Sequence, residues 1–161
     1  MSQQADQQPG QPHDSQSSPP ADRAASLGLE RKGVTRQDDK QAQAQSFATS
    51  AAQLLRDDKC TDILVLDLRG LSEITDFFVI ASGTSDRQMR SAAMHVEELG
   101  EQQSFALHRS NLKEREATWI VLDFVDVVVH VFEPQARLYY DLEMLWGDAK
   151  RIDWRDANQS S

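Results

Sequence analysis

The chain predicts an α/β domain, a sheet of mixed strand direction flanked by helices. Three observations carry this. Phe77 to Ala81 is a short, almost wholly apolar run ended by Gly83, which suits a strand buried on both faces. Ser85 and Gln88 follow with the S-x-x-Q spacing of a capping box, so a helix opens where that strand closes. Thr118–Phe124 and Val127–Phe132 are two β-rich runs joined by only two residues, Val125 and Asp126, which reads as a hairpin. Strand and helix signals alternate, and both kinds of element need a partner layer for their apolar faces.

In chain order, a helix is expected from about Gln45 to Arg56, with Phe47, Ala51, Leu54 and Leu55 on one stripe. Thr61–Leu68 reads as a strand with four consecutive apolar residues, Ile63 to Leu66. A polar loop to Asp76 leads into the Phe77 strand. The next helix spans about Asp86 to Leu99, burying Met89, Ala92, Ala93, Val96 and Leu99, with Gly100 as its stop signal. Ser104–Arg109 is a weaker strand candidate. In the hairpin, Phe124 should oppose Val127, Leu122 Val129 and Ile120 Val131, forming a core face. The second face then sets Asp123 against Val128, Val121 against His130 and Trp119 against Phe132. Pro134 suits the first position of a last helix, expected to reach Trp146 and end at Gly147. On it Leu138, Tyr139, Leu142, Leu145 and Trp146 fall to one side, while Tyr140 projects almost opposite Leu138 and Leu142.

Composition sets the limits. The 161 residues carry a formal net charge of −9. Residues 1–43 hold six acidic and five basic side chains, no aromatic and no apolar period, and read as a disordered tail. The rest, with 20 acidic and 12 basic residues, stands at about −8. A nucleic-acid backbone would be repelled by such a surface, whereas a basic protein would be drawn to it. Cys60 is the sole cysteine, which suits a reducing compartment. No run of 18 apolar residues predicts a membrane span, and the acidic N-terminus resembles neither a signal nor a transit peptide, so the cytoplasm is the expectation. The expected organisation is a tail over 1–43, one domain over 44–151 and a short tail over 152–161.

Several blocks in order also resemble the ribosomal silencing factor (Iojap) family. They are Asp62 to Gly70, Ile74 to Gln88, Trp119 to Phe124, Asp126 to Phe132 and Tyr139 to Asp148, together covering roughly Gln45 to Arg151. The resemblance implies a fold similar to that of nucleotidyltransferases but without their catalytic carboxylates. It implies a translation silencer that binds the large ribosomal subunit through its fourteenth protein and sterically blocks joining of the small subunit. It also implies that Trp119, Phe124 and Tyr140 form the docking surface, with Asp123, Asp126, Arg137, Glu143 and Met144 at its rim. The family usually has Gly where this chain has Val125, a position at which a tight turn needs positive φ.

The residues themselves offer little catalysis. The Gly83-Thr84-Ser85 turn could hold a phosphate at a helix start, the nucleotidyltransferase-like alternative. Yet Asp67, Asp123 and Asp126 make no Asp-x-Asp pair for Mg²⁺, and Asp86 adds negative charge at the turn. His130 shares a face with Asp123, which reads as a structural histidine satisfied by a carboxylate before it reads as a base. His13, His95 and His108 have no metal-ligand spacing. The expectation is therefore a non-enzyme with no cofactor and no metal. Exposed aromatics would equally serve a homodimer, and an assembly factor occupying the same ribosomal surface is a third reading.

Overall fold

A computed structural model of the chain describes residues 35–156. Ten elements follow one another: α1 (Arg36–Asp57), β1 (Thr61–Asp67), β2 (Phe77–Ser82), α2 (Asp86–Gln102), β3 (Arg109–Ser110), β4 (Trp119–Asp123), β5 (Val127–Phe132), α3 (Pro134–Tyr140), α4 (Leu142–Leu145) and β6 (Lys150–Arg151). The strands form one sheet in the order β3-β4-β5-β2-β1-β6. Only β2 and β5 run parallel, and the chain between them passes through α2, β3 and β4. The other pairings are antiparallel. The sheet is thus mixed, as the sequence predicts.

The two faces are covered unequally. On one, α1 and α2 bury Phe47, Leu55, Met89 and Val96 against Val65, Phe77, Val79, Ile120, Leu122, Val129 and Val131. On the other, a smaller cluster of Leu66, Leu68, Ile80, Phe132 and Leu142 has Phe78, Trp119, Ala136 and Trp146 packed round it. The short helices α3 and α4 cannot roof the whole sheet, and Trp119 stays only partly buried.

The hairpin register is the expected one, from Trp119 opposite Phe132 to Asp123 opposite Val128. Its connection carries the strain that Val125 implies. Val125 sits at φ 75°, a left-handed setting that a β-branched residue resists. The Asp126 N–H donates to the Phe124 carbonyl at 3.0 Å, a γ-turn centred on Val125. The Asp123 carboxylate accepts from the Val125 N–H at 2.8 Å and helps hold the turn.

Several boundaries differ from expectation. Helix α1 starts at Arg36, nine residues before Gln45, so residues 36–43 are helical; residues 1–34 of the expected tail lie outside the described residues. Asp38 and Asp39 occupy its first turn, where carboxylates suit the helix dipole, but no apolar stripe marks that stretch. Gly100 does not stop α2, which continues to Gln102. A Cβ there would meet Phe124 Cε1 at 2.7 Å and the Phe105 carbonyl at 2.8 Å, so Gly100 serves close packing. The Ser104–Arg109 strand shrinks to Arg109–Ser110. Residues 152–154 of the expected C-terminal tail fold back onto the domain: Trp154 is 7% exposed, and its indole N–H donates to the Ile63 carbonyl at 3.1 Å, while residues 157–161 lie outside the described residues.

The last helix is broken. Asp141 adopts φ 44° and ψ 57°, separating α3 from α4. Asp tolerates this left-handed setting better than most residues, since its short polar side chain can bond locally. The expected single helix to Trp146 becomes an elbow, and that elbow builds the surface described next.

Candidate docking surface

The elbow turns the expected buried stripe outward. Leu138 is 81% exposed, Tyr139 82%, Tyr140 47%, Met144 78% and Leu145 73%. Five large apolar side chains within eight positions cannot all reach solvent from one straight amphipathic helix packed on a sheet. The inward positions of the elbow belong to Arg137 and Leu142 instead. Arg137 Nη1 donates to Ser82 Oγ at 2.9 Å, and its Nε reaches Glu143 Oε1 at 3.4 Å. One guanidinium thereby ties α3 to the end of β2 and across the break to α4.

An aromatic ladder continues the surface onto the sheet. The Trp119 ring lies 4.9 Å from Phe132 and 4.7 Å from Tyr140, and Tyr140 lies 5.0 Å from Tyr139. The Trp119 indole N–H donates to His130 Nδ1 at 3.1 Å. His130 therefore pairs with Trp119, not with the Asp123 carboxylate expected from its face. Its Nε2 is buried with no hydrogen-bond partner in the structure, and Phe78 stands edge-on 4.4 Å away. Burial pushes the His130 imidazolium pKa down to about 3, so the ring is neutral near pH 7 and can accept from the indole.

The other expected site residues divide. Tyr140 and Met144 belong to the elbow and Trp119 adjoins it. Phe124 does not: it lies on the opposite face of the sheet, 3% exposed, with Phe47 edge-to-face at 4.9 Å. Asp123 shares Trp119's face but lies four residues away, roughly 13 Å along the strand. It faces Arg109 at 3.9 Å. Asp126 sits in the hairpin turn, 3.8 Å from Lys40, and beside Asp76, whose carboxyl pKa is raised by burial and by that neighbouring charge. Arg137 is buried beneath the elbow and is not at a rim, and Glu143 is its partner. Sequence reasoning missed Leu138, Tyr139 and Leu145 as surface residues. The one local signal was Asp141, a residue able to take the left-handed break.

The Gly83 turn is closed upon itself. The Gln88 backbone N–H donates to Ser85 Oγ at 3.1 Å, as a capping box requires, but the Gln88 side-chain Oε1 accepts from Thr84 N–H at 2.6 Å. Gly83 N–H donates to the Phe132 carbonyl at 2.8 Å. A Cβ at Gly83 would meet Met89 Cγ at 2.3 Å, so the glycine makes room for its own helix. Among the described residues, no group of three or more His, Cys, Asp and Glu side chains is placed to hold a metal ion. No helix of the described residues is long and apolar enough to cross a membrane.

With this geometry in hand, comparison with known proteins is decisive. Residues 41–161 match the family model described as ribosomal silencing factor during starvation. The chain belongs to the ribosomal silencing factor family. It is 38% identical over 108 residues to ribosomal silencing factor RsfS of Bacillus subtilis, covering 67% of this chain and 91% of that protein. It is 38% identical over 115 residues to the chloroplastic protein Iojap of Zea mays, covering 71% of this chain and 50% of the maize protein. The fold is similar to a crystal structure of a Chromobacterium violaceum protein, with TM-score 0.61, 30% identity, and coverage of 72% of this chain and 95% of that one. Members of this family are regulators of translation, which fits a surface of exposed rings better than a catalytic pocket.

Proposed function

We propose that this silencing factor binds the large ribosomal subunit at its fourteenth protein, in the cytoplasm, and blocks joining of the small subunit by occupying that surface. It does so without catalysis. One observation carries the reading: the α3–α4 elbow exposes Leu138, Tyr139, Tyr140, Met144 and Leu145 together, and Tyr140 continues onto Trp119. Contiguous apolar side chains of this kind mark protein interfaces, and Tyr and Trp are common hot-spot anchors. Exposed Glu133, Asp141 and Asp148 lie along the same stretch of chain. They give an acidic surround that favours a basic partner and speeds encounter more than it adds affinity.

Silencing by occupancy needs only affinity and a slow release. The elbow supplies apolar area, and the Arg137 bridge holds it in one shape before binding, which lowers the ordering cost. Co-sedimentation with isolated subunits tests the reading. The full chain should pellet with large subunits and not with small ones. Equal recovery with both, or with neither, would contradict it. The nucleotidyltransferase-like alternative is weakened by the Gly83 turn, whose Gly83, Thr84 and Gln88 N–H donors are already engaged within the protein.

A further inference from the structure

We propose that Asn111 is a positioning residue for docking: its side-chain amide stands in for a missing strand along β4 and, with Arg90 holding its loop, fixes Trp119 at the edge of the elbow. The inference rests on the ribosomal reading above and adds to it a residue from outside the elbow.

β4 is nearly an edge strand. β3 pairs with it only through Arg109 opposite Asp123 and Ser110 opposite Leu122. Along Trp119 to Val121 its outer side has no strand beside it among the described residues. Backbone groups left open on such an edge are unpaired, and the strand end is free to fray. Asn111 supplies both missing partners from one side chain. Its Nδ2 donates to the Trp119 carbonyl at 2.8 Å, and its Oδ1 accepts from the Val121 N–H at 2.8 Å. A primary amide carries a donor and an acceptor side by side, as a peptide unit of a neighbouring strand would. On the inner side, Glu133 N–H donates to the Thr118 carbonyl at 2.8 Å, and Trp119 stands opposite Phe132.

The loop that carries Asn111 is itself pinned. From α2, the Arg90 guanidinium donates to the Leu112 and Glu114 carbonyls, and its Nε donates to Asp86 at 2.9 Å. Leu112 also packs against the main core. The Trp119 ring is tied separately, through its indole N–H to His130. That bond orients the ring only while the strand end stays in register. An anchor held in its bound position before contact loses less entropy on docking. Asn111 thus acts through Trp119.

Fluorescence anisotropy of the labelled full chain against purified large subunits, well below the unfolding temperature, tests it beside nitrogen-15 NMR of the Trp119 indole and the Val121 amide. Asn111→Ala should bind about tenfold more weakly. Its Val121 amide should exchange faster and its Trp119 indole resonance should move. Asn111→Asp keeps an acceptor for Val121 but has no donor for Trp119, so it should regain slow Val121 exchange and still bind weakly. Val65→Ala opens a cavity in the main core on β1, three strands away, and should lower stability yet bind as the wild type does. Wild-type affinity in folded Asn111→Ala or Asn111→Asp would overturn the proposal and leave the docking reading standing. So would an equal loss in Val65→Ala, which would reduce the effect to stability. Absence of binding by the wild type would overturn both.

Discussion

The indole N–H of Trp119 donates to Nδ1 of His130 at 3.1 Å, joining a partly open ring to a buried one. This bond fixes the tautomer of His130, which must carry its proton on Nε2. It also fixes the rotation of Trp119, whose face then meets Tyr140 and Phe132. A buried neutral histidine thus sets the edge of the proposed docking surface.

That arrangement predicts a pH dependence. The folded His130 resists protonation down to about 3, whereas an unfolded histidine titrates near its ordinary value. Its folded pKa is depressed, so the unfolded chain binds the extra proton and stability falls as pH drops below the ordinary histidine range. By pH 5 the loss should reach about 2 kcal/mol. His95 acts oppositely, since the Asp58 carboxylate bonded to it raises its pKa. Its contribution is present at low pH and fades as pH rises through its folded value. Urea unfolding in a His95→Gln background therefore isolates the effect. His130→Gln should flatten the remaining slope while its amide oxygen still accepts from Trp119.

Docking should be separable from folding. Tyr139 and Met144 are almost fully exposed, so truncating them removes little from the core. Tyr139→Ala/Met144→Ala should weaken large-subunit binding by about 2 kcal/mol or more while leaving the melting temperature nearly unchanged. Trp119→Ala is a poorer probe, because it also strips the ring stacked on Phe132. Fluorescence anisotropy with labelled protein and purified large subunits reads the first effect, and thermal unfolding reads the second.

Val125 holds a left-handed backbone at the hairpin turn while being half exposed. Val125→Gly should therefore stabilise the domain by about 1 kcal/mol, the relief of strain exceeding the entropy that glycine adds to the unfolded chain. A denaturation midpoint shifted upward with unchanged slope would show it.

Gly100 makes the opposite case. Alanine normally favours a helix over glycine by about 1 kcal/mol. Here the added methyl would press on Phe124, itself packed against Phe47, and on the Phe105 carbonyl. Gly100→Ala should destabilise by about 1–3 kcal/mol net, measured by equilibrium unfolding.

Much of this fold was legible because local and tertiary signals agree. The Val127–Phe132 strand pairs with Trp119–Asp123 in the register that alternation alone dictates, since a one-residue slip would bury Val121 and Asp123 and expose Leu122. The Ser85 cap was legible for the same reason: its donors and acceptors lie within four residues. What failed depended on distant partners. Gly100 read as a helix stop because its real constraint, Phe124, lies far along the chain. Trp154 read as tail because its hydrogen bond runs to Ile63. The elbow was hidden by its own periodicity: Leu138, Tyr139 and Leu145 form an apolar stripe that a continuous helix would bury. Asp141 breaks that helix and presents the stripe to solvent. Of the residues expected at the proposed surface, Tyr140 and Met144 are exposed and Trp119 is partly buried, while Phe124 lies in the core and Arg137 is buried beneath the elbow.

Subunit joining at matched Mg²⁺, followed by sucrose-gradient sedimentation, tests the occupancy account most directly. Saturating wild-type protein should hold the subunits apart, and Tyr139→Ala/Met144→Ala at the same concentration should let them rejoin. Unimpaired joining with the wild type, or an equal block by the folded double variant, would contradict it.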